Sequence, residues 1–177
     1  MRLFVALDLP WEVKRSLAAF AINLAGARWV PPQNMHLTLR FIGESKGAEA
    51  EEIDYALSRI QTREFSLVLT GIGWFEKASR VNTLWIGVER NELLLRLQAK
   101  VETALRRVGL PPERRKFMPH VTLARMDHPV TPRLVEFVQA HNLYRSPPII
   151  AEHITLFSSH LGGDVPDYTA EMEYTLG

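Results

Sequence analysis

Residues 36–39 read His-Leu-Thr-Leu, and residues 120–123 read His-Val-Thr-Leu. These two copies of a His-x-Thr motif lie 84 positions apart in a chain of 177 residues, close to half its length. A third copy, His-Ile-Thr-Leu, occupies residues 153–156. Because the chain has only six histidines, three copies exceed what chance would place there. The spacing of the first two copies predicts two related lobes, each of which contributes one motif.

The alternation of polar and apolar residues predicts that both motifs lie on β-strands. Side chains at positions i and i+2 of a strand face the same side of the sheet. His36 and Thr38 therefore share one face, whereas Phe41 is expected in the opposite, apolar layer. His120 and Thr122 share a face in the same way. If the two strands lie side by side in one sheet, four polar side chains converge in a groove.

The residue types in this predicted groove indicate a class of chemistry. Two imidazoles supply an acid and a base near neutral pH. Threonine hydroxyls can donate hydrogen bonds to phosphoryl oxygens. The set suits hydrolysis of a phosphodiester without a metal ion, in which one histidine takes a proton from water and the other gives a proton to the leaving oxygen. The residues alone do not say which histidine has which role.

The rest of the chain alternates predicted strands and helices. Apolar periodicity predicts strands at residues 2–9, 35–42, 64–72, 82–88, 119–125, 149–158 and 167–175, and helices at residues 11–25, 48–60, 91–108 and 132–141. This mixed order favours an α+β or α/β fold with two similar lobes. No long linker or low-complexity segment separates the halves.

Composition narrows the function classes. The chain is 46% hydrophobic and 23% charged, which is typical of one globular domain with a sizeable core. The formal net charge is +1, so the overall charge of the protein does not favour a nucleic-acid or membrane partner. The absence of cysteine excludes disulfides, thiol nucleophiles and thiolate metal sites. No apolar stretch is long enough to cross a bilayer, and a cytoplasmic protein is expected.

An ordered set of segments resembles the 2H phosphoesterase superfamily and, within it, the RNA 2′,3′-cyclic phosphodiesterases, also called 2′-5′ RNA ligases. The matching segments are residues 2–10, 34–44, 117–125 and 154–159, followed by Gly162 and Tyr168. They span nearly the whole chain. The resemblance implies an α+β fold in which residues 1–177 form a single bilobal domain. Its two pseudo-symmetric lobes would each hold a β-sheet flanked by helices, with the active groove between them.

The resemblance also implies an activity and roles for the histidines. The reaction would be hydrolysis of a 2′,3′-cyclic phosphate to a 2′-phosphomonoester, with no cofactor. His36 would be the proton donor to the leaving 3′ oxygen, and His120 the proton acceptor that activates water. The expected partners are RNA with 2′,3′-cyclic ends or nucleoside 2′,3′-cyclic phosphates, with no membrane partner, and a monomer is expected.

Phosphate contacts are expected from Thr38 and Thr122, which share a face with the histidines, and from Arg125. Arg125 lies five residues beyond His120, on the wrong side of a flat strand, but the resemblance places a phosphate-binding arginine there. Arg40 has the correct parity. It is a possible RNA contact, and solvation at the strand end is the alternative.

Two further features stay open. Arg114, Arg115 and Lys116 form a basic run directly before the second motif, which either contacts RNA or is a solvated loop. Phe41, Phe117 and Trp74 could stack on a nucleobase, although a role in the core is favoured for each.

His153 begins the third motif and is expected to be structural. A third histidine in the groove, with a metal ion, is the alternative. Three other functions also remain: 2′-5′ ligation by the same two histidines, a catalytically silent RNA-binding module, and a metal-dependent hydrolase. Water at about 55 M favours hydrolysis over ligation unless RNA ends are held together.

Overall fold

The computed structural model describes residues 1–177. Its strands are β1 (Arg2–Asp8), β2 (Ala27–Trp29), β3 (His36–Glu44), β4 (Phe65–Leu67), β5 (Leu69–Lys77), β6 (Arg80–Val88), β7 (His120–His128), β8 (Ile149–Ala151), β9 (His153–Leu161) and β10 (Pro166–Thr175). Its α-helices are α1 (Trp11–Ala18), α2 (Gly47–Ser58), α3 (Glu92–Val108) and α4 (Pro132–His141), and a 3-10 turn spans Pro32–Asn34. The predicted α+β class is confirmed. No helix is long and apolar enough to span a membrane.

One large antiparallel sheet carries both halves of the molecule. Its strand order is β10-β9-β1-β3-β7-β6-β5, and β2 adds to β7. The strands β4 and β8 form a separate two-stranded sheet. The two halves meet where β3 pairs with β7, through Leu37 and Val121. The predicted juxtaposition of the two motif strands is therefore present.

The internal repeat is visible in the positions of the strands. β3 and β7 begin at residues 36 and 120, β4 and β8 at residues 65 and 149, and β5 and β9 at residues 69 and 153. Each pair is offset by the same 84 positions as the motifs. β1 lies between β3 and β9, as β6 lies between β7 and β5. The sheet thus has the two pseudo-symmetric halves that the motif spacing predicts.

The helices cover the sheet through faces that the apolar periodicity predicts. On α3, Leu94, Leu97, Val101 and Leu105 are all fully buried. Asn91 caps its first turn by accepting a hydrogen bond from the Leu94 amide. The predicted helix over residues 11–25 is too long, because α1 ends at Ala18. Phe20 instead packs against Tyr144, with ring centroids 4.9 Å apart, so tertiary packing outweighs the helical spacing there.

Candidate active site

The two motifs come together on one face of the sheet. Leu37 and Val121 form the pair that joins β3 to β7, and both side chains are fully buried on the opposite face. Four half-buried polar side chains therefore share the open face: His36, Thr38, His120 and Thr122. Continuing the register by one residue in each direction sets each histidine opposite the other motif's threonine. Directly opposite residues have Cβ atoms roughly 5 Å apart, so the four side chains can act on one small group.

A β-bulge interrupts β3 directly after the motif. Val5 pairs with Arg40 and Ala6 pairs with Thr38, so Leu39 is an extra residue without a partner. A bulge reverses which face the following residues occupy. Arg40 is turned into the core and is 8% exposed, whereas Phe41 is turned to the open face and is 55% exposed. The predicted faces of both residues are wrong for this reason.

The guanidinium of Arg40 forms hydrogen bonds with a carboxylate and two backbone carbonyls on the core side of the sheet. Its Nε donates to Glu102 Oε2 at 2.6 Å, and its other guanidinium nitrogens donate to the carbonyls of Phe41 and Pro111. Burial would raise the pKa of Glu102, but hydrogen bonds from Arg40 and from the Glu113 amide bring it below its ordinary value. Arg40 does not reach the groove, and its placement does not fit the predicted RNA contact.

A second bulge, at the same position relative to the histidine, interrupts β7. Leu84 pairs with Ala124 and Trp85 pairs with Thr122, so Leu123 is the extra residue. Ala124 is fully buried, and Arg125, the next residue, is exposed. The bulge therefore turns Arg125 to the motif face, although its parity on a flat strand is wrong.

The charge of Arg125 reaches both histidines. It contributes to lowering the pKa of His36 and that of His120. It also partly offsets the effect of burial on Tyr168, whose pKa is raised. A guanidinium that acts on both imidazoles is placed to bind an anion between them.

His36 lies among three aromatic rings. Its ring centroid is 4.9 Å from that of Phe4, 5.7 Å from that of Phe157 and 5.1 Å from that of Tyr168. Burial lowers the pKa of His36 to about 4, against the opposing charge of one carboxylate, that of Asp8. In the free protein this imidazole is therefore neutral at neutral pH.

His120 is less enclosed. The Phe75 ring meets it edge to face, with centroids 5.1 Å apart. Its Nδ1 lies 2.7 Å from the carbonyl oxygen of Met118, and the backbone of Asn34 forms a hydrogen bond with His36. Because a carbonyl only accepts, Nδ1 of His120 carries the hydrogen and its Nε2 is left free to accept or deliver a proton. Burial lowers the pKa of His120 below its ordinary value.

An ion pair that the motif analysis missed lies beside His36. Asp8 pairs with His36 across β1 and β3, and its carboxylate is 2.7 Å from Nζ of Lys14, a lysine that is largely buried. Asp8 raises and Lys14 lowers the pKa of His36. The only available signal was a carboxylate at the end of β1, six residues before a lysine on the first helix.

The third motif lies on the same sheet face, two strands from His36. Ala6 pairs with Thr38 on one side and with Thr155 on the other, so β1 separates the two motifs. Neighbouring strands are about 4.8 Å apart, which puts His153 roughly 10 Å from the paired motifs. Its Nε2 is 3.9 Å from Glu173 Oε1. No group of three or more histidine, aspartate or glutamate side chains is arranged to hold a metal ion.

The basic run is exposed in the loop between α3 and β7. Arg114, Arg115 and Lys116 are all accessible to solvent, and Arg115 approaches Glu113 at 3.6 Å. Phe117, which follows them, is half-buried and packs against the core. The RNA contacts of the run remain a prediction.

Comparisons with known proteins agree with this architecture. A family model described as LigT like Phosphoesterase matches residues 7–85 and again residues 86–166. An RNA 2′,3′-cyclic phosphodiesterase of Thermotoga maritima is 35% identical over 135 residues, which cover 72% of this chain and 71% of that protein. One from Methanocaldococcus jannaschii is 27% identical and covers 98% of this chain and 100% of that protein.

Solved structures give the same result. LigT of Escherichia coli, crystallised with 3′-AMP, has a TM-score of 0.79 at 27% identity, covering 99% of this chain and 97% of that one. TT0787 of Thermus thermophilus has a TM-score of 0.82 at 26% identity, with the same coverage. The resemblance found in the sequence is confirmed. Because the family model matches each half of the chain, and each half supplies one of the paired His-x-Thr strands, the protein belongs to the LigT-like phosphoesterases.

Proposed function

We propose that this protein hydrolyses the 2′,3′-cyclic phosphate ends of RNA to 2′-phosphomonoesters, without a metal ion, as a monomer in the cytoplasm. The observation that carries the proposal is the Leu37–Val121 pairing, which brings two histidines and two threonines to one face. The bulge that adds Arg125 to this face completes a set with an acid, a base and anion-binding groups. Relatives across bacteria and archaea that bear the name RNA 2′,3′-cyclic phosphodiesterase support it.

In the proposed reaction, water attacks phosphorus and the bond from phosphorus to the 3′ oxygen breaks. His120 takes a proton from the attacking water, and His36 gives a proton to the departing 3′ oxygen. Thr38, Thr122 and Arg125 bind the non-bridging oxygens, whose negative charge grows in the transition state. The 2′ oxygen keeps the phosphate, so the product is a 2′-phosphomonoester.

The low pKa of His36 adds a requirement to this assignment. A proton donor must carry its proton in the bound complex, but His36 has a pKa of about 4 in the free protein. The negative charge of the substrate phosphate favours the protonated imidazole. Substrate binding should therefore take up a proton, which calorimetry in buffers of different ionisation enthalpy measures.

A substrate analogue separates the two roles. If a sulfur atom replaces the bridging 3′ oxygen, the leaving thiolate departs without protonation. Activity lost in His36→Ala should then be recovered on this analogue, and activity lost in His120→Ala should not. If the analogue restores activity to His120→Ala and not to His36→Ala, His120 is the proton donor and His36 the proton acceptor.

The experiment that tests the proposed function is a hydrolysis assay. Purified protein is incubated with the four nucleoside 2′,3′-cyclic phosphates in excess chelator, and the products are separated by chromatography. The expected product is the nucleoside 2′-monophosphate, with turnover unchanged by the chelator. Formation of the 3′-monophosphate, or loss of turnover in chelator, would contradict the mechanism.

A further inference from the structure

A depression of about 420 Å³ lies beside His120, on the side away from His36. Gly71 and Gly87 form part of its floor, and Trp85, Phe117 and Met118 form its walls. This surface is here called the glycine shelf. Trp85 is also a neighbour of His120, with ring centroids 6.3 Å apart, so the shelf is continuous with the candidate active site.

The strand register places the shelf on the motif face. Gly87 pairs with His120, and Trp85 pairs with Thr122. Because directly opposite residues share a face, the groove extends over Gly87. A Cβ atom at Gly87 would lie 3.2 Å from the carbonyl oxygen of Thr70 and 3.3 Å from the Trp85 ring. The absence of a side chain at this position keeps the depression open.

The lining of the shelf indicates the chemistry of its occupant. Its walls are aromatic and aliphatic, and no charged side chain lines it, so it is not built to bind a phosphate. The carbonyl oxygens of Thr70 and Gly71 lie beside its floor and can accept hydrogen bonds from ring amines. A flat, partly apolar ring with N–H donors at its edge, such as a nucleobase, has the matching properties.

The charge next to the shelf indicates which nucleotide of the RNA supplies this base. The basic run Arg114–Lys116 directly precedes the shelf wall Phe117. An RNA strand whose base lies on the shelf can therefore direct its phosphate toward the exposed cations of this run. The terminal nucleoside is fixed by its own cyclic phosphate between the histidines, so the phosphate near the run belongs to the nucleotide before it.

We propose that the glycine shelf binds the base of the nucleotide that precedes the 2′,3′-cyclic end. This inference rests on the proposed function and adds to it a preference for RNA ends over mononucleotides. The preference comes from stacking and not from reading one particular base, because every base has a flat face.

The test uses three substrates. They are a dinucleotide with a cyclic end, the same dinucleotide without its upstream base, and a mononucleoside 2′,3′-cyclic phosphate. Removal of the upstream base should lower kcat/KM of the wild type about 5- to 150-fold, the range for loss of one stacked base. Phe117→Ala should cause a similar loss on the full dinucleotide and no further loss on the abasic one. Its activity on the mononucleotide should match that of the wild type.

Phe20→Ala is the matched control, because Phe20 is another half-buried phenylalanine packed on the same core and lies outside the shelf. It should leave the ratio between the two dinucleotides unchanged. Equal activity of the wild type on the full and abasic dinucleotides would overturn the proposal without any variant. An equal loss by Phe117→Ala on all three substrates would also overturn it. If the wild type hydrolyses none of the three substrates, the proposed function itself fails.

Discussion

The two motif strands, β3 and β7, have the same backbone plan but present different chemistry. From the histidine onward, both follow one burial pattern: half-buried, buried, half-buried, buried, buried, exposed. In each, a leucine bulge turns the fourth residue after the histidine into the core and the fifth out to the groove. The fifth residue is Phe41 in one half and Arg125 in the other. The same type of β-bulge thus places the Phe41 ring on one side of the groove and the Arg125 guanidinium on the other.

The surroundings of the two histidines differ as well. Three aromatic rings enclose His36, whereas His120 borders the open shelf. Burial dominates both pKa values, and only that of His36 is lowered as far as about 4. The pseudo-symmetry therefore preserves the positions of the two histidines and leaves their proton affinities unequal. His36, the proposed donor, has the lower pKa in the free protein and depends on the substrate phosphate to become protonated.

Removal of either histidine should have the largest effect. His36→Ala and His120→Ala should each lower kcat about 10²- to 10⁴-fold, the usual contribution of a positioned acid or base. The double variant should lose much less than the product of the two, because the pair acts as one unit. His153→Ala, in the third motif, is the matched control and should keep most activity in a steady-state assay. A collapse of activity with His153→Ala and a mild loss with His120→Ala would make His153, and not His120, the catalytic partner of His36.

The bulges predict opposite outcomes for the two arginines. Arg40→Met should lower the free energy of unfolding by about 1–3 kcal/mol, because it removes the hydrogen bonds of the buried guanidinium to Glu102 and to the carbonyls of Phe41 and Pro111. Arg125→Met should leave stability within about 0.5 kcal/mol and raise KM for a cyclic nucleotide. Chemical denaturation and steady-state kinetics on both variants measure the difference. If Arg40→Met changes KM and leaves stability intact, Arg40 acts in the groove and not in the core.

These strands also show which side-chain orientations can be predicted from the sequence. Alternation predicts the faces of His36, Thr38 and their counterparts because these residues precede the bulges. It fails for Arg40 and Phe41 because the bulge adds one residue with no glycine to mark it. On β7 the adjacent apolar pair Leu123-Ala124 was an available signal.

The enclosure of His36 follows from long-range pairing that no local spacing encodes. Phe4 comes from β1, Phe157 from β9 and Tyr168 from β10. These strands are adjacent only because of the sheet order. The sequence therefore identifies the candidate histidines, and the fold determines their proton affinities.

The unequal pKa values predict an unequal dependence of stability on pH. In the unfolded chain His36 titrates near 6.5, and in the folded protein near 4. As the pH falls between these values, only the unfolded chain binds the proton, so the free energy of unfolding falls by about 3 kcal/mol. Above pH 6.5 both states are neutral and the contribution is complete.

Denaturation of the wild type and of His36→Phe at pH 7 and pH 4 measures this contribution, since phenylalanine fits the aromatic surroundings and does not titrate. The variant should lose less stability on acidification. His120→Phe should show a difference of the same sign and smaller size. Equal differences for the two variants would mean that the enclosure of His36 has no electrostatic consequence.

The paired threonines should behave alike, unlike the residues after the bulges. Thr38→Val and Thr122→Val keep the shape and strand preference of the side chain and remove the hydroxyl. Each should weaken transition-state stabilisation by about 1–3 kcal/mol, the range for a hydrogen bond to a charged group. The measurement is kcat/KM on one cyclic nucleotide. Full activity in both variants would make the threonines strand formers only.

The segments that lead into the two motifs differ most in charge, and they predict the smallest effect. Pro31, Pro32 and Gln33 precede the first motif, whereas Arg114, Arg115 and Lys116 precede the second. RNA upstream of the cyclic end should therefore run past β7. Neutralising all three cations should raise KM for an oligonucleotide with a cyclic end and leave a mononucleoside cyclic phosphate unchanged. Each lost phosphate contact should also reduce the salt slope by about 0.7 on a log–log plot. Paired kinetics at two salt concentrations measure both effects, with Arg90→Gln, an exposed arginine before α3, as the control. If the triple variant treats both substrates as the wild type does, the run is a solvated loop, and the chemistry between the histidines is unaffected.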